Sequence, residues 1–263
     1  MRKIAVRRWL PRRLQHSEEA TLVEHLDELR SRLIISLVAI VPAFALTFAF
    51  HETIMEWLTG PLPADKELVT FGVTEPFTTS VKVSLIAALA LVLPVLLWQT
   101  WSFFAPAVEE HHQRIVVVLV VIATALFACG VLFMYYVVLP RALEFLTTYD
   151  DELYNIQIRA SYYYSFVALL LLGGGIAFLL PIFVLGLVRL RVLSSSRLRR
   201  NRRIAFVFLL VFAALLPTVD PVSLVFEVVP LVLLFEASIW LSVMMERRWQ
   251  RDWDEELAEA GSP

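Results

Sequence analysis

Long apolar runs separated by short polar stretches dominate this chain, and six of the runs are long enough, or nearly so, to cross a bilayer as helices. They extend from Leu33 to Phe50, about Val83 to Phe104, Ile115 to Leu139, about Tyr162 to Val188, Ile204 to Leu216 and about Val222 to Met245. Apolar residues occupy every face within each run, as expected of a helix that meets lipid as well as protein. The pattern predicts an all-α membrane protein of six transmembrane helices. A basic tail over 1–20, expected to be poorly ordered, precedes a transmembrane domain over 21–245, and a charged tail follows over 246–263.

The fifth and sixth helices are expected to be short. Ile204 to Leu216 rises only about 20 Å at 1.5 Å per residue, against a hydrocarbon thickness of about 30 Å. Either the helix borrows length from its basic flank, or the bilayer thins beside it. Pro42, Pro94, Pro181 and Pro230 interrupt the spans and predict bends, and Gly173-Gly174-Gly175 permits close backbone approach. Curved helices of this kind predict a concave assembly. No internal repeat is visible, so an inverted-repeat transporter design gains no support.

Orientation follows from the connections. With the N-terminus inside, Lys and Arg number 8 in residues 1–32, 1 in 105–114, 7 in 189–203 and 3 in 246–263, a total of 19. The opposite side holds only Lys66, Arg141 and Arg159, with Lys82 at a helix end. This imbalance predicts both termini in the cytoplasm. The outer connections 51–79 and 140–161 are long enough to form a cap with short helices of their own, and Pro217-Thr218-Val219-Asp220-Pro221 reads as a tight outer turn.

Composition agrees: 59% of the residues are hydrophobic, 18% are charged, and mean hydropathy is +0.71. The net charge of −2 names no partner, and nothing points to nucleic acid. The single cysteine, Cys129, lies in an apolar run and reads as a small buried residue. Arg7-Arg8-Trp9-Leu10 leads into Pro11-Arg12-Arg13, without an apolar stretch or a small-residue cleavage site, so no signal peptide is expected.

Candidate chemistry is confined to a few places. Before the first span, Leu22, Leu26, Leu29 and Leu33 form an apolar stripe, and His25, Glu28 and Arg32 form a neighbouring one at helical spacing. Its plain reading is an interfacial helix with solvated charges. The second span ends in Trp98-Gln99-Thr100-Trp101-Ser102-Phe103-Phe104-Ala105-Pro106, whose aromatics suit a membrane interface. His111 and His112 are adjacent and point apart on a helix, so no metal site is expected. Glu236 lies inside the sixth span, where structural pairing or contact with a partner's polar group explains it better than a proton relay; Glu227 and Asp220 lie nearer the outer end. No zinc-protease, nucleophile-elbow or phosphate-loop motif is present, so an enzyme is not expected, and no cofactor is implied.

Taken in order, these segments carry a resemblance. His25-Leu26-Asp27-Glu28-Leu29-Arg30, Glu75-Pro76-Phe77 and Trp101 to Pro106 come first. Phe133 to Pro140, Ser165-Phe166, Leu216 to Pro221 and Leu234-Phe235-Glu236 follow. Together they resemble the TatC family, the multispanning receptor subunit of the twin-arginine protein translocase, over roughly residues 20–245. The resemblance implies a receptor in the inner membrane that binds the paired arginines of folded export substrates at its cytoplasmic face. It implies TatA- and TatB-type single-span partners, self-association in a receptor complex, and transport driven by the proton gradient.

The resemblance assigns signal binding to Glu28, within the pattern of His25, Leu29 and Arg30, and to the loop after Phe103 and Pro106. Carboxylates suit guanidinium groups because they accept two parallel hydrogen bonds. This chain departs from the family pattern at two positions. The loop acid aligns with His112, with Glu109 and Glu110 close enough to substitute. The fourth-span glutamate, associated with docking of partner helices, is replaced by Leu179. The outer turn also reads Pro-Thr-Val-Asp-Pro where Thr-Pro-Pro-Asp-Pro is typical. A divergent paralogue with altered signal recognition therefore stays open beside the receptor reading. A small-molecule transporter is less favoured, because the third and fourth spans supply almost no polar groups at mid-depth.

Overall fold

The computed structural model describes residues 22–104, 113–149, 153, 156–189, 192–217 and 221–260, with the side chains of 22–25, 104, 113–116, 189 and 247–260 left aside. The first helix, α1 (Leu22–Ala49), is followed by a short α2 (His51–Thr59), strand β1 (Leu68–Val69) and α3 (Glu75–Phe104). Next come α4 (Gln113–Phe133), a π-helical turn over Met134–Val138, α5 (Leu139–Thr148) and strand β2 (Ile158–Arg159). The chain ends in α6 (Ala160–Ala177), α7 (Leu180–Arg189), α8 (Ser195–Arg200), α9 (Arg202–Ala214) and α10 (Pro221–Ala260).

Among the described residues, five stretches are long and apolar enough to cross a membrane: Leu26–Ala49, Glu75–Phe103, Val117–Thr148, Ala160–Val188 and Pro221–Glu246. Helix α9, with 13 residues, is the short one expected between the fourth and last spans. The last helix differs from expectation. Instead of stopping near Met245, α10 continues for 40 residues to Ala260, because no Gly or Pro follows its apolar part until Gly261. Pro230 lies inside α10, as Pro42 does in α1 and Pro94 in α3. The fourth span breaks at Phe178-Leu179, where Pro181, in the first turn of α7, has no N–H to continue the α6 ladder.

Three apolar clusters form among the described residues. Ala43, Ala88 and Val92 join α1 to α3. Met134, Val138, Tyr163, Val167 and Leu170 belong to the central cluster, where α6 meets the π turn. Leu209, Ala213, Leu231, Phe235 and Ile239 join α9 to α10. Much of the remaining apolar surface faces outward, including Leu33, Ile34, Leu37, Val38 and Val41 on α1, as a lipid-bathed helix requires. Cys129, expected to be buried, is exposed on α4; an apolar thiol is as compatible with lipid as with a protein core.

One end of the molecule is capped. Strands β1 and β2 pair in parallel, Leu68 with Ile158 and Val69 with Arg159, so the two long connections meet. Trp57 of α2 stacks on Tyr135 with ring centroids 4.0 Å apart, and the Tyr135 hydroxyl donates to the Trp57 carbonyl at 2.7 Å. Tyr163 donates likewise to the Leu58 carbonyl at 2.8 Å. Short cap helices were legible in the sequence; the strand pairing was not.

Close helix approach is set by glycine. A Cβ at Gly130 of α4 would lie 2.8 Å from Phe178 Cβ and 3.0 Å from Gly175 Cα, and one at Gly175 would lie 2.6 Å from Phe127 Cε2. These helices touch through their backbones, which is the use expected of the glycine triplet.

Candidate functional site

At the end opposite the cap, α1 begins and α3 finishes. Glu28 and Arg32 are one turn apart on α1, so their side chains meet on one face. Arg32 Nε donates to Glu28 Oε1 at 3.0 Å, and Arg32 Nη2 pairs with the same oxygen. The same guanidinium crosses to α3, where Nη2 donates to the Ser102 carbonyl at 2.9 Å and Nη1 to Gln99 Oε1 at 3.4 Å. Ser102 lies in the last turn of α3, where backbone carbonyls lack helical donors and carry partial negative charge. Both charged side chains are mostly sheltered, each about one-fifth exposed. The arrangement is a guanidinium-binding niche made from one carboxylate, one amide oxygen and one carbonyl.

The expected signal-binding residues divide around this niche. Glu28 forms it. Leu29 and Arg30 are exposed on neighbouring faces of α1, and Phe103 is half-buried beside Ser102 at the end of α3. His25 belongs to the first turns of α1, but its side chain lies outside the described residues. Pro106, Glu109, Glu110 and His112 also lie outside them. Leu26, Leu29 and Leu33 form an exposed stripe, while Glu28 and Arg32 turn toward α3, so the charges are not simply solvated. Arg32 was already visible at helical spacing from Glu28. Its partners Gln99 and Ser102 are about 70 residues away, and no local pattern announces them.

The polar residues of α10 have separate environments. Glu236 Oε2 receives Arg202 Nη2 at 3.0 Å, an ion pair within the chain. Glu227 is fully buried, one turn from the equally buried Ser223. Asp220 lies outside the described residues. Leu179 is half-buried at the α6–α7 break, where its carbonyl accepts from Ile182 N and Phe183 N, both at 3.1 Å.

At the capped end, Glu75 organises the junction of the two long connections. Its Oε2 accepts from Phe71 N at 3.0 Å and Gly72 N at 3.3 Å. Its Oε1 accepts from Arg159 Nε at 2.9 Å and Ser161 N at 3.2 Å. The hydrogen bond to Glu75 moves Arg159 further into its protonated range. Phe71 and Tyr162 lie against the same guanidinium, at 5.9 and 5.2 Å from their ring centroids.

These segments and helices match known proteins over most of the chain. A family model described as Sec-independent protein translocase protein (TatC) matches residues 24–230. The TatC of Helicobacter pylori is 33% identical over 224 residues, spanning 85% of this chain and 88% of that protein. The TatC of Magnetococcus marinus is 35% identical over 240 residues, spanning 89% and 88%. A crystal structure of the twin arginine translocase receptor TatC in DDM matches with a TM-score of 0.76 at 35% identity, covering 83% of this chain and 99% of that one. With family model, relatives and fold in agreement over most of its length, this membrane-embedded six-helix chain belongs to the TatC family of Sec-independent protein translocase proteins.

Proposed function

We propose that this chain recognises twin-arginine signal peptides at the cytoplasmic face of the inner membrane and scaffolds partner subunits for export of folded proteins. The observation that carries the reading is the niche at Glu28, whose acceptors are already arranged around a guanidinium. A ligand arginine needs such a carboxylate beside oriented acceptors at a partly sheltered surface. The second arginine would meet the loop after α3, through Glu109, Glu110 or His112, with Phe103 and Pro106 shaping the approach. His25, Leu29 and Arg30 frame Glu28 on α1.

The uneven distribution of basic residues supports both termini in the cytoplasm. TatA- and TatB-type single-span subunits would dock on the helices, with self-association in a receptor complex and transport driven by the proton motive force. Asp220, Glu227 and Glu236 are positions for partner-helix contact or structural polar pairing, and Leu179, in place of an acid, is where partner docking would differ from the family pattern. Leu179 also favours a second reading, a divergent paralogue with altered recognition.

Complementation of a strain lacking its own TatC tests the proposal. The native chain is expected to restore export of a folded twin-arginine reporter, and Glu28→Gln to abolish most of it at unchanged membrane abundance. Equal export by the two would overturn the assignment of Glu28. A joint Glu109→Gln and Glu110→Gln variant asks whether those acids serve the second arginine; only a His112 substitution having an effect would exclude them.

A further inference from the structure

The guanidinium in the Glu28 niche belongs to the chain itself. Arg32 engages a carboxylate on its own helix and an amide and a main-chain carbonyl on α3. An arginine from a bound peptide would require the same three kinds of contact. With Oε1 already holding two Arg32 nitrogens, Glu28 offers a ligand arginine only Oε2, so a bidentate grip on both oxygens requires Arg32 to give ground.

We infer that Arg32 is a resident surrogate for the ligand, filling the niche while it is empty and displaced when a signal arginine enters. The inference rests on the reading of Glu28 proposed above and adds a competitor to it. Arg32 sits one helical turn from Glu28, so its effective concentration there exceeds that of any peptide in solution. A lone guanidinium competes poorly, because association costs it translational freedom that Arg32 has already lost. A ligand with two adjacent arginines gains a second contact and overcomes the competitor. Apparent affinity is then the intrinsic affinity reduced by the fraction of molecules whose niche is open. Arg32 thereby acts as a specificity-determining residue that sets a threshold against single basic residues.

A purely structural role for Arg32 makes the opposite prediction. If it only ties α1 to α3, its removal loosens the niche and weakens binding. The sign of the change therefore decides between the two roles.

The test uses the full chain in detergent micelles and a fluorescein-labelled synthetic peptide with an adjacent arginine pair, read by anisotropy. Arg32→Gln is expected to bind about three- to tenfold tighter than the native chain. Arg32→Lys should fall between them, since a single ammonium holds Glu28 but cannot also span to Gln99 and Ser102. Glu28→Gln should bind at least about tenfold more weakly, and the double variant should bind no better than Glu28→Gln. Should Arg32→Gln fail to fold, judged by its thermal midpoint, the sign of the Arg32→Lys effect decides. Unchanged or weaker binding by the Arg32 variants, with Glu28→Gln still impaired, overturns the surrogate and leaves signal binding at Glu28 standing. Native-like binding by Glu28→Gln overturns both.

Discussion

Arg202 Nη2 lies 3.0 Å from Glu236 Oε2, an ion pair that fastens the short α9 to α10 within the apolar part of the molecule. Arg202 is the first residue of α9 and Glu236 is well inside the last span, so the pair carries basic charge below the edge of the apolar zone. Both side chains keep some exposure, 38% and 27%, which places the pair between a surface bridge and a buried one.

Removing only one partner should cost more than removing both. Glu236→Gln or Arg202→Gln is expected to destabilise by about 1 kcal/mol, because each leaves a partly desolvated charge alone. The double variant should recover part of that loss. Thermal unfolding of the four proteins in one detergent gives the coupling, and strictly additive effects would show that the pair contributes nothing.

Glu75 is the acceptor for three backbone N–H groups and one guanidinium at the cap. Glu75→Ala should release the 71–72 segment from Ser161 and Arg159 and lower the unfolding midpoint by several degrees. Glu75→Gln should lie between, since an amide has only one acceptor oxygen and no charge to hold Arg159. Limited proteolysis at the cap is the second measure, with faster cleavage expected in the order native, glutamine, alanine.

Gly130 and Gly175 face each other across α4 and α6: a Cβ at Gly130 meets Phe178 and the Gly175 backbone, and one at Gly175 meets the Phe127 ring and Val131. Gly130→Ala and Gly175→Ala should each cost about 1–3 kcal/mol by overpacking. Gly72→Ala is the control, because its new methyl carbon meets nothing closer than Glu75 Cβ at 3.8 Å. Its unfolding midpoint should match the native one.

Thr47 joins α1 to α3 in the apolar interior: its hydroxyl donates to the Ser84 carbonyl at 2.8 Å and also lies 3.0 Å from the Ala43 carbonyl. Thr47→Val keeps the shape and removes the hydroxyl. Interhelical hydrogen bonds in membranes average about 0.6 kcal/mol, so a loss of about that size is expected in a folding titration.

The fold was legible wherever one residue's neighbours are set by its own helix. Apolar length marked the main spans, the basic residues marked one end, and the 3–4 spacing placed Glu28 beside Arg32. Contacts between distant segments were not legible. Nothing local to Arg159 says that it will meet Glu75, and nothing near Ser102 says that its carbonyl will face α1. Helix ends were the other weak point. Apolar content falls near Met245, yet charged residues with good helical propensity carry α10 on to Ala260. The candidate niche was thus half visible: its acid and the general place were readable, its occupant and the α3 wall were not.

The π-helical turn at Met134–Val138 has a geometric consequence for the third span. A π turn adds one residue to a helical turn, and one residue corresponds to about 100° of rotation. The rod below it can therefore present Gly130 to α6, while Tyr135 within the turn stacks on Trp57 and the rod above is clocked to bring Leu143 into the central cluster. An uninterrupted α-helix would match one of these partners and miss the other. The phase between the glycine contact and the Leu143 packing is thus stored as a residue count, and a one-residue deletion in 136–138 would put the two ends out of step even with every contacting side chain retained.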